Sequence, residues 1–135
     1  MVAILMKPTV YVETSVISYL TARPSRDLIV AGHQQITADW WDSARDQVEC
    51  FVSPFVIQEI SRGDQKLVKM RLAAVADFPV LRLNQEIYQL AQQYFAAVNI
   101  PEKSKIDAFH LAVAAWYGTD YVLSWNCKHI VSSRV

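Results

Sequence analysis

Glycine is scarce in this chain of 135 residues, occurring only as Gly32, Gly63 and Gly118. None of them builds a glycine-rich phosphate cradle, so P-loop and dinucleotide-fingerprint chemistry are excluded. A nucleophile elbow and a Ser/His/Asp set of recognisable spacing are also absent. Cysteine is equally sparse: Cys50 and Cys127 lie far apart and fit reduced thiols at least as well as a disulfide. Cys127-Lys128-His129 is at best half of a metal site, because no second Cys/His pair completes the roughly four ligands that zinc requires. Neither sign of charge is in excess, since Lys+Arg and Asp+Glu both number 13. A protein that grips nucleic acid by overall charge should be basic, so any such binding here must use a local basic patch or metal ions. Long apolar runs are missing too. The stretch Met1 to Met6 is too short to span a membrane and has neither a leading basic region nor an obvious cleavage site. A cytoplasmic protein without membrane contact is the expectation.

What the chain does have is a high apolar content, 53% against 19% charged, which excludes a disordered chain. Its length fits one domain, residues 1–135, with a full core. Short β-like runs alternate with helical patterns. Strands are expected at Thr9–Val12, Glu49–Val52, Val80–Leu83 and Tyr121–Leu123. Helices are expected from Ser15 to Leu20 and from Arg26 to Asp46, with Ile29, Ile36 and Trp40 on one face of the second. Ser53-Pro54 opens another that carries Glu59 and stops at Gly63. Asp64 and Asn84 cap the next two, and Ser104 opens the last, which ends at Gly118. Strands separated by helices imply a parallel sheet covered on both faces, a three-layer α/β fold.

The acids are placed suggestively in this frame. Glu13 directly follows the first strand, and Ser124-Trp125-Asn126 follows the last. In open parallel sheets, ligands bind outside the carboxyl ends of the strands, where the strand order reverses. Glu59 and Asp107 sit on helices between them. Three carboxylates and an amide converging on one crevice would carry negative charge that a divalent cation relieves. Each acid also has a structural reading. Ser104-Lys105-Ile106-Asp107 is a variant of the capping box, so Asp107 alone fits capping and catalysis equally. Glu59 alone reads better as a solvated helical acid beside Arg62. Asn126 alone is an ordinary turn residue, and His110 reads as a core or hydrogen-bonded histidine. Glu13 is harder to dismiss, because an acid closing a buried strand must face a partner or a ligand.

Taken together the segments resemble the PIN domain family, the PilT N-terminal nuclease fold that includes VapC-type toxins of bacterial toxin–antitoxin pairs. The match runs from Tyr11-Val12-Glu13-Thr14-Ser15-Val16 through Ser53 and Glu59 to Asp107-Ala108-Phe109-His110-Leu111-Ala112-Val113-Ala114. It closes with Asp120-Tyr121-Val122-Leu123-Ser124-Trp125-Asn126-Cys127-Lys128-His129-Ile130. The resemblance implies a PIN-like central parallel sheet of about four to five strands flanked by helices, and a metal-dependent endoribonuclease. It places Glu13, Glu59 and Asp107 as acids holding Mg²⁺ or Mn²⁺, with Asn126 in the place of a fourth acid and orienting water or another ligand at the metal. Ser124, Lys103, Lys105 and Lys128 are its candidate substrate contacts.

Two departures from the family pattern matter. Glu13 replaces the usual aspartate and reaches one methylene further, and Asn126 removes a charge. The chain also ends nine residues after Asn126, where the family continues into a last helix and strand. The sheet edge is then expected to be missing or supplied by a partner. The implied partners are an RNA substrate and an antitoxin protein. Trp40, Trp41, Trp116 and Tyr117 exceed what a small core usually needs and suggest a homodimer. The competing reading is a catalytically weak PIN-like module that binds RNA or an antitoxin. A phosphate-receiving signalling domain ranks lower, because the second strand leads to Ser53-Pro54 rather than to an acid.

Overall fold

The computed structural model describes residues 6–98 and 105–126. Three short parallel strands, β1 (Thr9–Val12), β2 (Glu49–Phe51) and β3 (Tyr121–Leu123), form one sheet in the order β2-β1-β3. β1 takes the centre because Val10, Tyr11 and Val12 are almost fully buried, as a strand covered on both faces requires. Its register pairs Val10 with Cys50 on one side and with Tyr121 on the other. The Asp120 carboxylate fixes the β3 side, accepting hydrogen bonds from the Thr9 backbone N–H at 2.8 Å and the Thr9 hydroxyl at 3.1 Å. With β2 and β3 on opposite sides of β1, the strand order reverses at β1.

Six helices flank the sheet: α1 (Thr14–Thr21), α2 (Leu28–Ser43), α3 (Pro54–Ile60), α4 (Gln65–Ala74), α5 (Gln85–Val98) and α6 (Lys105–Tyr117). The caps explain their limits. Asp27, Asp64 and Asn84 accept N–H groups from the first turns of α2, α4 and α5. Gly63 and Gly118, with φ of 98° and 65°, let the chain turn after α3 and α6. The expected helix from Arg26 to Asp46 is shorter in fact. It stops at Ser43, and a 3₁₀ turn over Arg45–Gln47 leads into β2. Ser104 lies outside the described residues, and so does its half of the capping box.

The sheet is smaller than expected: three strands among the described residues, not four to five. The expected strand Val80–Leu83 makes only one parallel bridge, Val80 to Val52. Val52 N–H donates to Pro79 O at 3.1 Å, and Leu81 N–H donates to Val52 O at 2.8 Å. The ladder goes no further for a physical reason. Pro79 has no N–H to donate, the Arg82 carbonyl accepts the Tyr117 hydroxyl at 2.6 Å, and Asn84 already caps α5. Leu81 and Leu83 still pack on the core. No described helix is long and apolar enough to cross a membrane.

Two of the four aromatics from which an interface was to draw are partly buried. Trp40 and Trp41 pack against the core, edge to face with each other, and Trp41 also meets Phe78. Trp116 and Tyr117 are exposed. Cys50 is a buried free thiol whose pKa burial pushes up to about 11, so it is a poor nucleophile and fits the reduced state.

Candidate active site

Glu13 leaves β1 into the space between the β1 and β3 ends, and its backbone N–H donates to Leu123 O at 3.0 Å. The side chain is 5% exposed and locks two loops together. Its Oε1 accepts the hydroxyls of Ser15 at 2.5 Å and Ser124 at 2.6 Å, and Oε2 accepts the Ser15 N–H at 3.1 Å as the N-cap of α1. Each serine hydroxyl in turn accepts a backbone N–H at 2.8 Å, from Trp125 to Ser15 and from Asn126 to Ser124. These donors satisfy the carboxylate's oxygens. Among the described residues no lysine or arginine forms an ion pair with it.

Asp107, in the first turn of α6, is likewise 5% exposed and accepts the Asn126 side-chain amide at 2.7 Å. Glu13, Ser124, Asn126 and Asp107 thus form one connected set across β1, β3 and α6. Glu59 approaches from the last turn of α3. Oxygens of Glu13 and Glu59 and a ring nitrogen of His110 all lie within 4.8 Å of one another. Two oxygens on one Mg²⁺ sit at most about 4.2 Å apart, twice its metal–oxygen distance of roughly 2.1 Å. The two carboxylates are near enough that a small side-chain adjustment brings them onto one divalent ion, and oxygen donors suit Mg²⁺ or Mn²⁺.

His110 does not fit as a third ligand. It is fully buried, with Nε2 2.6 Å from Glu59 Oε1 and Nδ1 2.5 Å from the Tyr11 hydroxyl. A carboxylate only accepts, so Nε2 carries a hydrogen there and has no lone pair for a metal. The contacts continue through the core, from Tyr11 to the Ser53 hydroxyl at 2.7 Å. Ser53 is buried and, although it precedes α3, makes no side-chain cap there. Burial holds the Tyr11 pKa far above its ordinary value, the Ser53 hydrogen bond opposing, so the phenol stays protonated. At the other end, Thr14 Oγ1 donates to the same Glu59 oxygen at 2.6 Å. Burial pushes the Glu59 pKa up. The His110 hydrogen bond and charge, the Thr14 hydrogen bond and the Arg62 charge outweigh it, so the carboxyl lies below its ordinary value and stays ionised.

Of the candidate substrate contacts, Ser124 is in the network, while Lys103 and Lys128 lie outside the described residues, as do Cys127 and His129. The Lys105 ammonium sits over the Phe95 ring, 5.4 Å from its centroid. The residues to which sequence reading gave no part in the site are Tyr11, Thr14, Ser15, Ser53 and Trp125. One signal was available: Tyr11 carries a hydroxyl into the middle of a buried strand, and a buried phenol needs a partner.

Comparison with known proteins identifies the family and the fold. The PIN domain family model matches residues 10–126. No curated protein sequence matches the chain. Among solved structures, the chain is similar to Mycobacterium tuberculosis VapC20, described as a Sarcin-Ricin loop cleaving toxin, with 17% identity and a TM-score of 0.68. That match covers 93% of this chain and 96% of that one. Such low identity carries the fold alone, but the family match spans every element from β1 to the exit of β3: the chain belongs to the PIN domain family.

Proposed function

We propose that the protein is a metal-dependent endoribonuclease of the PIN type, acting as the toxin of a toxin–antitoxin pair. The observation that carries this reading is the pair of carboxylates, Glu13 and Glu59, with oxygens no more than 4.8 Å apart at the end of a parallel sheet and linked through Ser124 to the Asp107–Asn126 pair. Glu13, Glu59 and Asp107 would hold Mg²⁺ or Mn²⁺, with Asn126 at its edge. A bound cation supplies charge neutralisation at the phosphate and a more acidic attacking water. The chain's own residues do the positioning. Ser15 and Ser124 fix the Glu13 carboxylate, Thr14 and His110 fix Glu59, and the Asn126 amide fixes Asp107. Family membership supports the nuclease reading, and the fold shared with VapC20 supports the toxin reading. RNA is the substrate in this account and an antitoxin protein the partner.

One observation favours the runner-up, a catalytically weak module that binds RNA or an antitoxin: the Asn126 amide occupies an oxygen of Asp107 that a metal would otherwise take. Cleavage of unpaired RNA that depends on Mn²⁺ or Mg²⁺, and stops with chelator, is the expected result. RNA binding without cleavage at any divalent-ion concentration would select the runner-up. We also propose a homodimer that covers the exposed Trp116 and Tyr117. Sedimentation at micromolar concentration should give twice the chain mass, and a monomer would end that proposal.

A further inference from the structure

We propose that Tyr19 and Trp125 form a nucleobase-stacking subsite beside the acids, where an unpaired base of the RNA docks next to the phosphate to be cut. The proposal rests on the ribonuclease reading above and adds a substrate contact to it. An open groove adjoins the acidic site, lined by Glu13, Ser15, Ser18, Tyr19, Trp125 and Asn126. Its two aromatic members are held firmly. The Trp125 ring stacks on His33 with centroids 4.0 Å apart and planes 13° from parallel. Its indole N–H donates to Thr37 Oγ1 at 2.8 Å, and its backbone N–H donates to Ser15. Tyr19 stands at 89° to Trp125, its centroid 6.0 Å away, and at 77° to His33.

Side chains from α1, α2 and the β3 exit thus cooperate to orient one indole at the rim of an acidic site. His33 takes its place under Trp125 with a buried Nδ1 that has no hydrogen-bond partner among the described residues. A buried unpaired nitrogen is unfavourable, and its presence asks for a reason.

Charge balance leaves room for such a platform. The chain has no net charge, and among the described residues the groove lining holds one acid, Glu13, and no lysine or arginine. The protein's own side chains therefore attract the RNA backbone weakly at this groove, whatever a bound cation adds. Base stacking needs no charge, accepts any base, and is the usual way proteins hold unpaired nucleotides. His33 occupies one face of the indole, and the groove lies beside its ring and that of Tyr19.

Fluorescence anisotropy with a short labelled, unpaired oligoribonucleotide, at low ionic strength and with metal chelated so that nothing is cut, tests this directly. Trp125→Leu should weaken binding on the order of 10- to 100-fold and Tyr19→Leu by less, while Trp125→Phe should stay near wild type. The same oligomer lacking one base at the bound position should lose affinity for the wild type and lose no more for Trp125→Leu. The wild-type half of that arm needs no variant, and the circular dichroism of Trp125→Leu shows whether the other half is read on a folded protein. Equal losses for the base-free RNA in both proteins, or unchanged affinity in folded Trp125→Leu, would overturn the subsite and leave the nuclease reading standing. Stacking-dependent binding by a protein that never cleaves would keep the subsite and remove the nuclease reading.

Discussion

His110→Phe is expected to lower Mn²⁺ affinity by about 10- to 100-fold, although His110 touches no metal in this account. Its Nε2–H and the Thr14 hydroxyl both bond to Oε1 of Glu59, and together they fix how that carboxylate is presented to Glu13. Phenylalanine fills much of the ring's volume and removes the donor, so the carboxylate can swing and must be reordered each time a cation binds. Tyr11→Phe, which breaks the network one link further back at Nδ1, should produce a smaller loss. Calorimetric titration of the three proteins provides the comparison. A second readout comes from acid unfolding. The folded Glu59 pKa is depressed, so its stabilising contribution is present above the unfolded carboxylate value of about 4.3 and is lost as pH falls through the lower folded value. Without the His110 donor the folded pKa rises, the contribution shrinks, and acid unfolding begins at higher pH. Wild-type metal affinity in both folded variants would reduce His110 to a core residue.

The same network shows where sequence reading reaches its limit. Glu13 was visible because an acid at the end of the buried run Val10-Tyr11-Val12 has few tolerable surroundings. Asp107 and Asn126 were legible as residues leading toward the same sheet end. Their direct hydrogen bond was not legible, since a contact across 19 residues depends on how α6 meets β3. His110 could be read as a hydrogen-bonded core histidine but not as the partner of Glu59, which lies 51 residues away and seemed better placed in solvent. Val80–Leu83 failed for a different reason. Its apolar alternation is that of a strand, but a strand needs free backbone partners, and Tyr117 takes one of these through a side chain. The packing of Trp40 and Trp41 on the core was not legible either, because a count of aromatics cannot say which face of α2 meets the core. Tertiary context decided each of these cases.

Asn126→Asp and Asp107→Asn, measured together, are expected to move metal affinity in opposite directions. Asn126 Nδ2 donates to Asp107 Oδ1 at 2.7 Å, so the neutral amide sits where a cation would otherwise relieve the aspartate. An aspartate at position 126 would place two carboxylates in contact, and without metal one of them must take up a proton or be pushed away. The metal-free variant should therefore be less stable than wild type by roughly 1–3 kcal/mol, as expected for losing a buried hydrogen bond to a charged group. With metal the balance reverses. At an effective dielectric of about 20, a unit charge ~4 Å from another contributes about 4 kcal/mol per charge before desolvation and screening. A tenfold or greater gain in Mn²⁺ affinity survives even if most of that is lost. Asp107→Asn does the opposite, removing a charge from the site while an amide–amide hydrogen bond to Asn126 can still hold the α6–β3 contact. That protein should fold, bind Mn²⁺ more weakly and lose RNA cleavage. Thermal melts with and without Mn²⁺, beside calorimetric titration, separate the two effects. Unchanged metal affinity in both variants would make Asp107 a helix-terminal structural acid, and the binding-module reading would then be the better account of this site.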